Sequence, residues 1–325
     1  MQLSEIHGKT LMYVKSTVNK FLYKPYKAPS YSIMPSPECS FHLDILKQNS
    51  VSSHTLLLSL AKEIACGASK QLLPFKRPNH NYLGDDLDTD KLARINKVLQ
   101  GVPSGRSTYD DAQLRELAFW RWVAFEGYAG NDPRAFPWLQ CIHMLEHFFK
   151  TGWTLDELRD ASIVEIGCGP LGMIEYLPGK RKVGYDPLNM EYEKLFNRAR
   201  TGGVEYIADL EHLCQTGKNS FDMAICFNVL DHTTQPRQLL HNFMSLLRDE
   251  GQFLFQVNTV KEGETRPEDH ARMHPSPMSI KKISNWLDEY SRDYQTLYSD
   301  KPTELNEYSF MAWGRKNNEL ATCNV

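Results

Sequence analysis

Ile163-Val-Glu-Ile-Gly-Cys-Gly-Pro-Leu-Gly172 decides how this chain is read. A short apolar run carries one acid, Glu165, and ends in a glycine-rich turn, the pattern of a buried strand feeding a tight loop. Gly167 and Gly169 can take backbone angles closed to other residues, and they let a ligand lie against the main chain. Pro170 suits the first position of a helix, where no amide hydrogen is needed. The turn therefore predicts a helix start whose free amides would face a negatively charged group. As Gly-x-Gly-x-x-Gly alone, the loop is common to nucleotide-binding α/β folds, so its surroundings must narrow the choice.

Working outward, Lys182-Val-Gly-Tyr-Asp186 reads as a second strand ending in an acid about 20 residues after the loop, where a carboxylate can hold ribose hydroxyls. Val204-Glu-Tyr-Ile-Ala-Asp209, then Ser220-Phe-Asp-Met-Ala-Ile-Cys-Phe-Asn228-Val-Leu-Asp-His232, and Gly251-Gln-Phe-Leu-Phe-Gln-Val-Asn258 continue the series. Each apolar run is followed by a segment long enough for a crossover helix, which is the alternation of a parallel sheet covered on both faces. Polar residues collect at the strand ends, where open α/β sheets bind ligands.

With these residues in view, residues 160–315 resemble the class I S-adenosylmethionine-dependent methyltransferases. Val164 to Gly172 is similar to the family's first motif and Gly184-Tyr-Asp186 to its ribose-binding acid. Ala208-Asp209-Leu210 is similar to its adenine-contacting segment, and Asn228-Val-Leu-Asp-His232 with Gln235-Pro236 to its fourth-strand motif. Residues 293–300 and 307–315 read as two adjacent strands, similar to the antiparallel pair closing the family's sheet. The resemblance implies a Rossmann-like seven-stranded sheet, mostly parallel with an antiparallel last strand, and S-adenosyl-L-methionine as cofactor. Carried over residue by residue, it implies that Glu165 orients the glycine loop or meets the ligand's ammonium group. Gly167, Cys168 and Gly169 would bring backbone to the amino-acid portion, and Asp186, followed by Pro187, would hold the ribose. Asp209 and Leu210 would meet the adenine and Asn228 the methionine portion. Apart from the resemblance, the cluster Ala118-Phe-Trp120-Arg121-Trp122 reads either as the apolar face of a helix or as a site where Arg121 pairs with the cofactor carboxylate. The plainer alternative is a βαβ core whose acids merely cap helices. Asp249-Glu-Gly251 departs from the family, where paired glycines are usual.

The rest of the chain bounds the reading. At 325 residues with 41% hydrophobic residues it can build a sizeable core, and its net charge of −3 does not point to nucleic acid. No apolar run reaches the roughly 20 residues that span a bilayer, and the start lacks a secretory pattern. Seven cysteines without a Cys-x-x-Cys pair suit reduced thiols and a cytoplasmic setting. Residues 1–105 read as a helical accessory region on the acceptor side, with helices at 52–69 and 89–99, ahead of a methyltransferase domain at 106–325. Residues 1–30, with five Lys and one Glu, read as a peripheral helix, with a membrane-surface role as the alternative. The oligomeric state is not legible.

Chemistry is expected from histidines. A hydroxyl acceptor on a small molecule or glycan needs a base, and His232, His270 and His274 are the candidates, with Asp231 orienting His232 or acting alone. His270 is preferred, because a loop over the site can reach an acceptor whereas His232 would be held against the cofactor loops. His143-x-x-Glu146-His147 has metal-ligand spacing on a helix, but runs straight into the first strand and reads as a helix rim. No acid cluster matches a magnesium site, so metal-independent transfer is expected. Two rivals are a NAD-dependent oxidoreductase, which shares the loop and Asp186, and a catalytically silent methyltransferase-like binding protein.

Overall fold

Seven strands form one sheet in the computed structural model, which describes residues 89–104, 106–126, 135–196, 203–299, 302–303 and 305–317. The expected helix at 52–69 and the basic stretch 1–30 lie outside the described residues. The strands are β1 Ser162–Ile166, β2 Arg181–Tyr185, β3 Val204–Ile207, β4 Phe221–Phe227, β5 Leu247–Thr259, β6 Gln295–Tyr298 and β7 Tyr308–Arg315. Their spatial order is β3-β2-β1-β4-β5-β7-β6. β1 to β5 pair in parallel, while β7 runs antiparallel to both β5 and β6. This is the expected seven-stranded sheet.

Strand alternation sorts the core into two layers, because successive side chains leave opposite faces. Ile163, Met223, Ile225 and Leu254 face one layer with Leu117, Leu145 and Phe148. Val164, Ile166, Ala224, Cys226 and Phe255 face the other with Leu240, Phe243 and Ile283. The first layer is built by α1 Thr89–Leu99, α2 Thr108–Glu126, α3 Ala135–Lys150 and α4 Asn189–Phe196. The second is built by α5 Leu210–Gly217, α6 Pro236–Leu246 and, past the short α7 Glu268–Met273, α8 Ile280–Leu287. Ser279 caps α8 by accepting from the Lys282 amide.

One expected element is missing. The turn after β1 does not open an α-helix; residues 167–180 contain only a single 3-10 turn, Met173–Glu175. The buried Glu165 carboxylate accepts from the Ile174 amide at 2.9 Å and so takes up a donor at the turn. Leu171, Met173, Ile174 and Leu177 are buried around it, and α3 covers the turn, with the Cys141 thiol against the Gly172 carbonyl. Pro170 is therefore a loop residue, and the anion site predicted at a helix start is corrected. The departure at residues 249–251 is absorbed locally: Glu250 takes a positive φ of 59° where a glycine is usual.

α1 belongs to the same packed layer as the sheet's helices. Ile95 and Val98 are buried beside Leu114 and Leu117 of α2. Arg115 donates to the Val98 carbonyl, Arg94 pairs with Asp110, and Lys91 pairs with Glu191 of α4.

Candidate active site

A cavity of about 1120 Å³ opens where strand order reverses, at the carboxyl ends of β1, β2 and β4. α2 and α3 form its opposite wall through Tyr109, Gln113, Glu116, Trp120, Gln140 and His143. Trp120 is held by donating its indole N–H to Glu116 at 2.7 Å and by edge contacts with Tyr192 and Phe196.

The sheet side is built from backbone. Gly167 sits at φ 72°, and a Cβ there would drive into the Val229 methyls. Its amide and that of Cys168 donate to the Tyr185 carbonyl at 2.7 and 3.0 Å, stitching the loop to β2. Gly169 sits at φ 59° with nothing within 4 Å of a built Cβ, so the loop presents bare main chain to open space. The Asp186 carboxylate accepts from the Gly169 amide at 3.0 Å and from the Leu188 amide at 2.9 Å. A carboxylate offers about four acceptor positions and so can serve more than these two amides. Asn228 is strained at φ 54°, and its Oδ1 is buried with no hydrogen-bond partner. An orphaned acceptor on a strained residue is the kind of group a ligand donor would satisfy.

The expected cofactor residues divide sharply. Gly167, Cys168, Gly169, Asp186, Pro187, Leu210 and Asn228 all line the cavity. Glu165 does not: it lies fully buried behind the loop, with its Oε2 accepting from the Ile174 amide. Burial pushes its carboxyl up to about 8, against the Ile174 and Met173 amides that favour ionisation. Asp209 is exposed and caps α5, accepting from the His212 amide at 3.0 Å. Arg121 is absent from the lining, and burial lowers its guanidinium below the usual value. The Cys168 side chain points inward to Asn189, leaving only its backbone to the cavity.

The histidines also divide. His232, which ends the 3-10 turn Leu230–His232 after β4, lines the cavity. Its Nδ1 lies 3.6 Å from Glu116 Oε2, and its Nε2 is buried with no hydrogen-bond partner. His270 does not line the cavity; its Nε2 is 2.9 Å from Glu307 Oε1. Asp231 does not orient His232, a correction with a clear cause. Its Oδ2 is taken by His274 Nδ1 and by the Arg266 guanidinium, each at 2.9 Å. Arg266 in turn donates to Glu307, so an arginine with a 1% exposed side chain ties the strand-four turn to the residue that precedes β7. Burial opposes ionisation of Asp231, yet His274, His232 and Arg266 hold its carboxyl well below the usual range. Burial pushes His274 down to about 4, with the neighbouring His232 adding to the effect. The rings of His232, His274 and His270 lie in a row with 4.1 Å between successive centroids, tilted by 60° and 38° to one another.

Asp231, His232 and His274 bring ligand-type atoms within 4.8 Å of one another. Their charge is already balanced, because the Arg266 guanidinium occupies the place beside Asp231 that a cation would take.

Residues 164–255 match the family model of a methyltransferase domain. This stretch of the sheet is thus a methyltransferase domain. S-adenosylmethionine is accordingly the cofactor of this methyltransferase domain, and the bare glycine loop, Asp186 and the orphaned Asn228 fit it. No curated protein sequence matches the chain. Among solved structures, the chain is similar to phosphoethanolamine N-methyltransferase 2 of Haemonchus contortus at 14% identity, with a TM-score of 0.49, 66% of this chain covered and 61% of that one. The chain thus spans less than two thirds of that enzyme's length. It is also similar to the N-methyltransferase NodS of Bradyrhizobium japonicum WM9 at 18% identity, with a TM-score of 0.43, covering 64% of this chain and 98% of that one.

Glu116, Tyr109, Arg266 and Glu307 were not legible as site residues. Glu116 reaches the site only because α2 lies across the sheet's carboxyl edge. Arg266 sits in a run of charged residues, Lys261-Glu-Gly-Glu-Thr-Arg266, that reads as solvent-facing.

Proposed function

We propose that the protein transfers the methyl group of S-adenosylmethionine to a hydroxyl of a small molecule or glycan, with His232 as general base and without a metal. The observation that carries this reading is the position of His232. It shares the cavity with the glycine loop and Asn228, with Nδ1 toward Glu116 and Nε2 buried and unpartnered. A proton on Nδ1, facing the Glu116 carboxylate, leaves the Nε2 lone pair to accept a proton. The bound cofactor supplies an electrophilic methyl on a sulfonium, so the protein's task is alignment, exclusion of water and removal of the hydroxyl proton. His232 takes that proton at Nε2, and Glu116 stands beside the imidazolium so formed.

The acceptor wall is rich in amides and hydroxyls, among them Gln113, Gln140, Thr233, Gln235 and Gln238, groups suited to a hydroxylated partner. Arg266 compensates Asp231, which supports a site that works without a metal. Residues outside the methyltransferase core, in the 1–105 region, complete the acceptor side in this reading, and free thiols such as Cys141, Cys168 and Cys226 accord with a reducing, cytoplasmic setting.

The test is a screen of hydroxylated small molecules and oligosaccharides with methyl-labelled S-adenosylmethionine. With an acceptor in hand, His232→Ala should slow single turnover by about 10²–10⁴-fold while S-adenosylhomocysteine affinity stays within a few fold. His270→Ala, outside the cavity, should stay near wild type. A His232→Ala rate within threefold of wild type would remove the base, and cofactor binding with no transfer to any acceptor would favour the silent binding protein.

A further inference from the structure

Asp186 is not alone at its end of the cavity. The start of α2 and the residue before it place Ser107, Thr108 and Tyr109 on the lining together with Tyr185, Asp186 and Pro187. That placement is anchored on both sides. Arg94 of α1 pairs with Asp110, and Lys91 pairs with Glu191 of the helix that directly follows Asp186. Further along α2, Trp120 sets its edge against Tyr192 and Phe196 of the same helix. Two elements far apart in sequence thus hold one tyrosine over the strand-two acid.

We infer that Tyr109 is a cofactor-binding residue whose hydroxyl completes the ribose clamp begun by Asp186, an assignment that rests on the methyltransferase reading of this cavity. Tyr109 and Tyr185 both line this end of the cavity, and a phenol hydroxyl can donate as well as accept. Burial and the nearby Asp186 charge push the Tyr109 phenol up to about 12, which keeps it a donor at neutral pH. Asp186 already spends acceptor capacity on the Gly169 and Leu188 amides and can only accept. A ribose offers hydroxyls that both donate and accept, and Tyr109 supplies the donor that Asp186 lacks. Its ring is half-buried in the lining, at the same end of the cavity as Asp186.

Calorimetry with S-adenosylhomocysteine tests this without any methyl acceptor. Tyr109→Phe keeps the ring and should bind about threefold to tenfold more weakly, the range for one neutral hydrogen bond. Against the 2′,3′-dideoxy analogue, where the hydroxyls are gone, Tyr109→Phe and wild type should agree within twofold. Unchanged affinity for S-adenosylhomocysteine, or an equal loss on the dideoxy analogue, would overturn the contact. Asp186→Ala run alongside separates the two levels. If it weakens binding while Tyr109→Phe does not, only the tyrosine assignment fails; if it too binds as wild type, the ribose site itself is misplaced.

Discussion

At the residue scale, Glu165 and Asp186 show how two strand-end acids of similar appearance come to different tasks. Glu165 is walled in by core residues, and its carboxyl is pushed up to about 8, so it titrates across the neutral range. A raised folded value means the native state holds a proton that the unfolded chain releases between about 4.5 and 8. That stabilisation is full at low pH and fades as pH rises through this window, on the order of 1 kcal/mol per pH unit. Glu165→Gln, which keeps the acceptor for the Ile174 amide, should therefore melt closer to wild type at pH 6 and above wild type at pH 9. Denaturant melts at the two pH values check it, and a difference that does not change with pH would contradict the burial argument. His274 acts in the opposite direction. Pushed down to about 4, it stays neutral while the unfolded chain takes up a proton, so stability falls as pH drops from about 6.5 toward 4. His274→Gln should flatten that acid limb. Asp186→Ala should cost roughly tenfold to a hundredfold in S-adenosylhomocysteine affinity, as expected for a charged acceptor. Asp209→Ala should cost only the α5 cap, about 1 kcal/mol of stability, with affinity nearly unchanged. The place of Asp186 on the cavity was readable because it follows from strand position and spacing. The capping bond of Asp209 was not, since a cap and an adenine contact share the same local sequence.

At the element scale, the glycine loop tests how much a motif fixes by itself. The strand before it and the ligand-facing backbone after it were legible, because apolar runs and Gly-x-Gly report local geometry. The helix expected at Pro170 was not there, because a buried carboxylate and tight packing against α3 redirect the chain, and neither leaves a local signature. Gly167 and Gly169 should separate stability from binding. Gly167→Ala meets both a positive φ and the Val229 methyls, so it should destabilise the fold by about 1–3 kcal/mol. Gly169→Ala meets the φ penalty alone and projects into open space, so it should keep more of the stability yet lose S-adenosylhomocysteine affinity by tenfold or more. Thermal melts and calorimetry on the two variants check the contrast, and equal effects on both readouts would count against the loop as the ligand's bed.

At the scale of the whole molecule, a parallel sheet covered on both faces was legible from the alternation of strands, whereas the wall that closes the cavity was not. Which helix faces the strand ends is set by packing between segments remote in sequence, such as Ile95 and Val98 against Leu114 and Leu117. α1 therefore behaves as part of the folded core, although it precedes the breakpoint read near residue 105. A chain starting at residue 106 should be less stable than one starting at residue 89 by about 3–6 kcal/mol, the worth of two fully buried aliphatic side chains. Identical melts would show that α1 is dispensable. The central claim is that the cavity at the carboxyl ends of β1, β2 and β4 is an S-adenosylmethionine site clamped by Asp186. Calorimetry of the full chain with S-adenosylhomocysteine and NAD side by side, on wild type and Asp186→Ala, tests it most directly. The account predicts one S-adenosylhomocysteine per chain, weakened at least tenfold in Asp186→Ala, and no heat with NAD; binding of NAD, or S-adenosylhomocysteine affinity indifferent to Asp186, would contradict it.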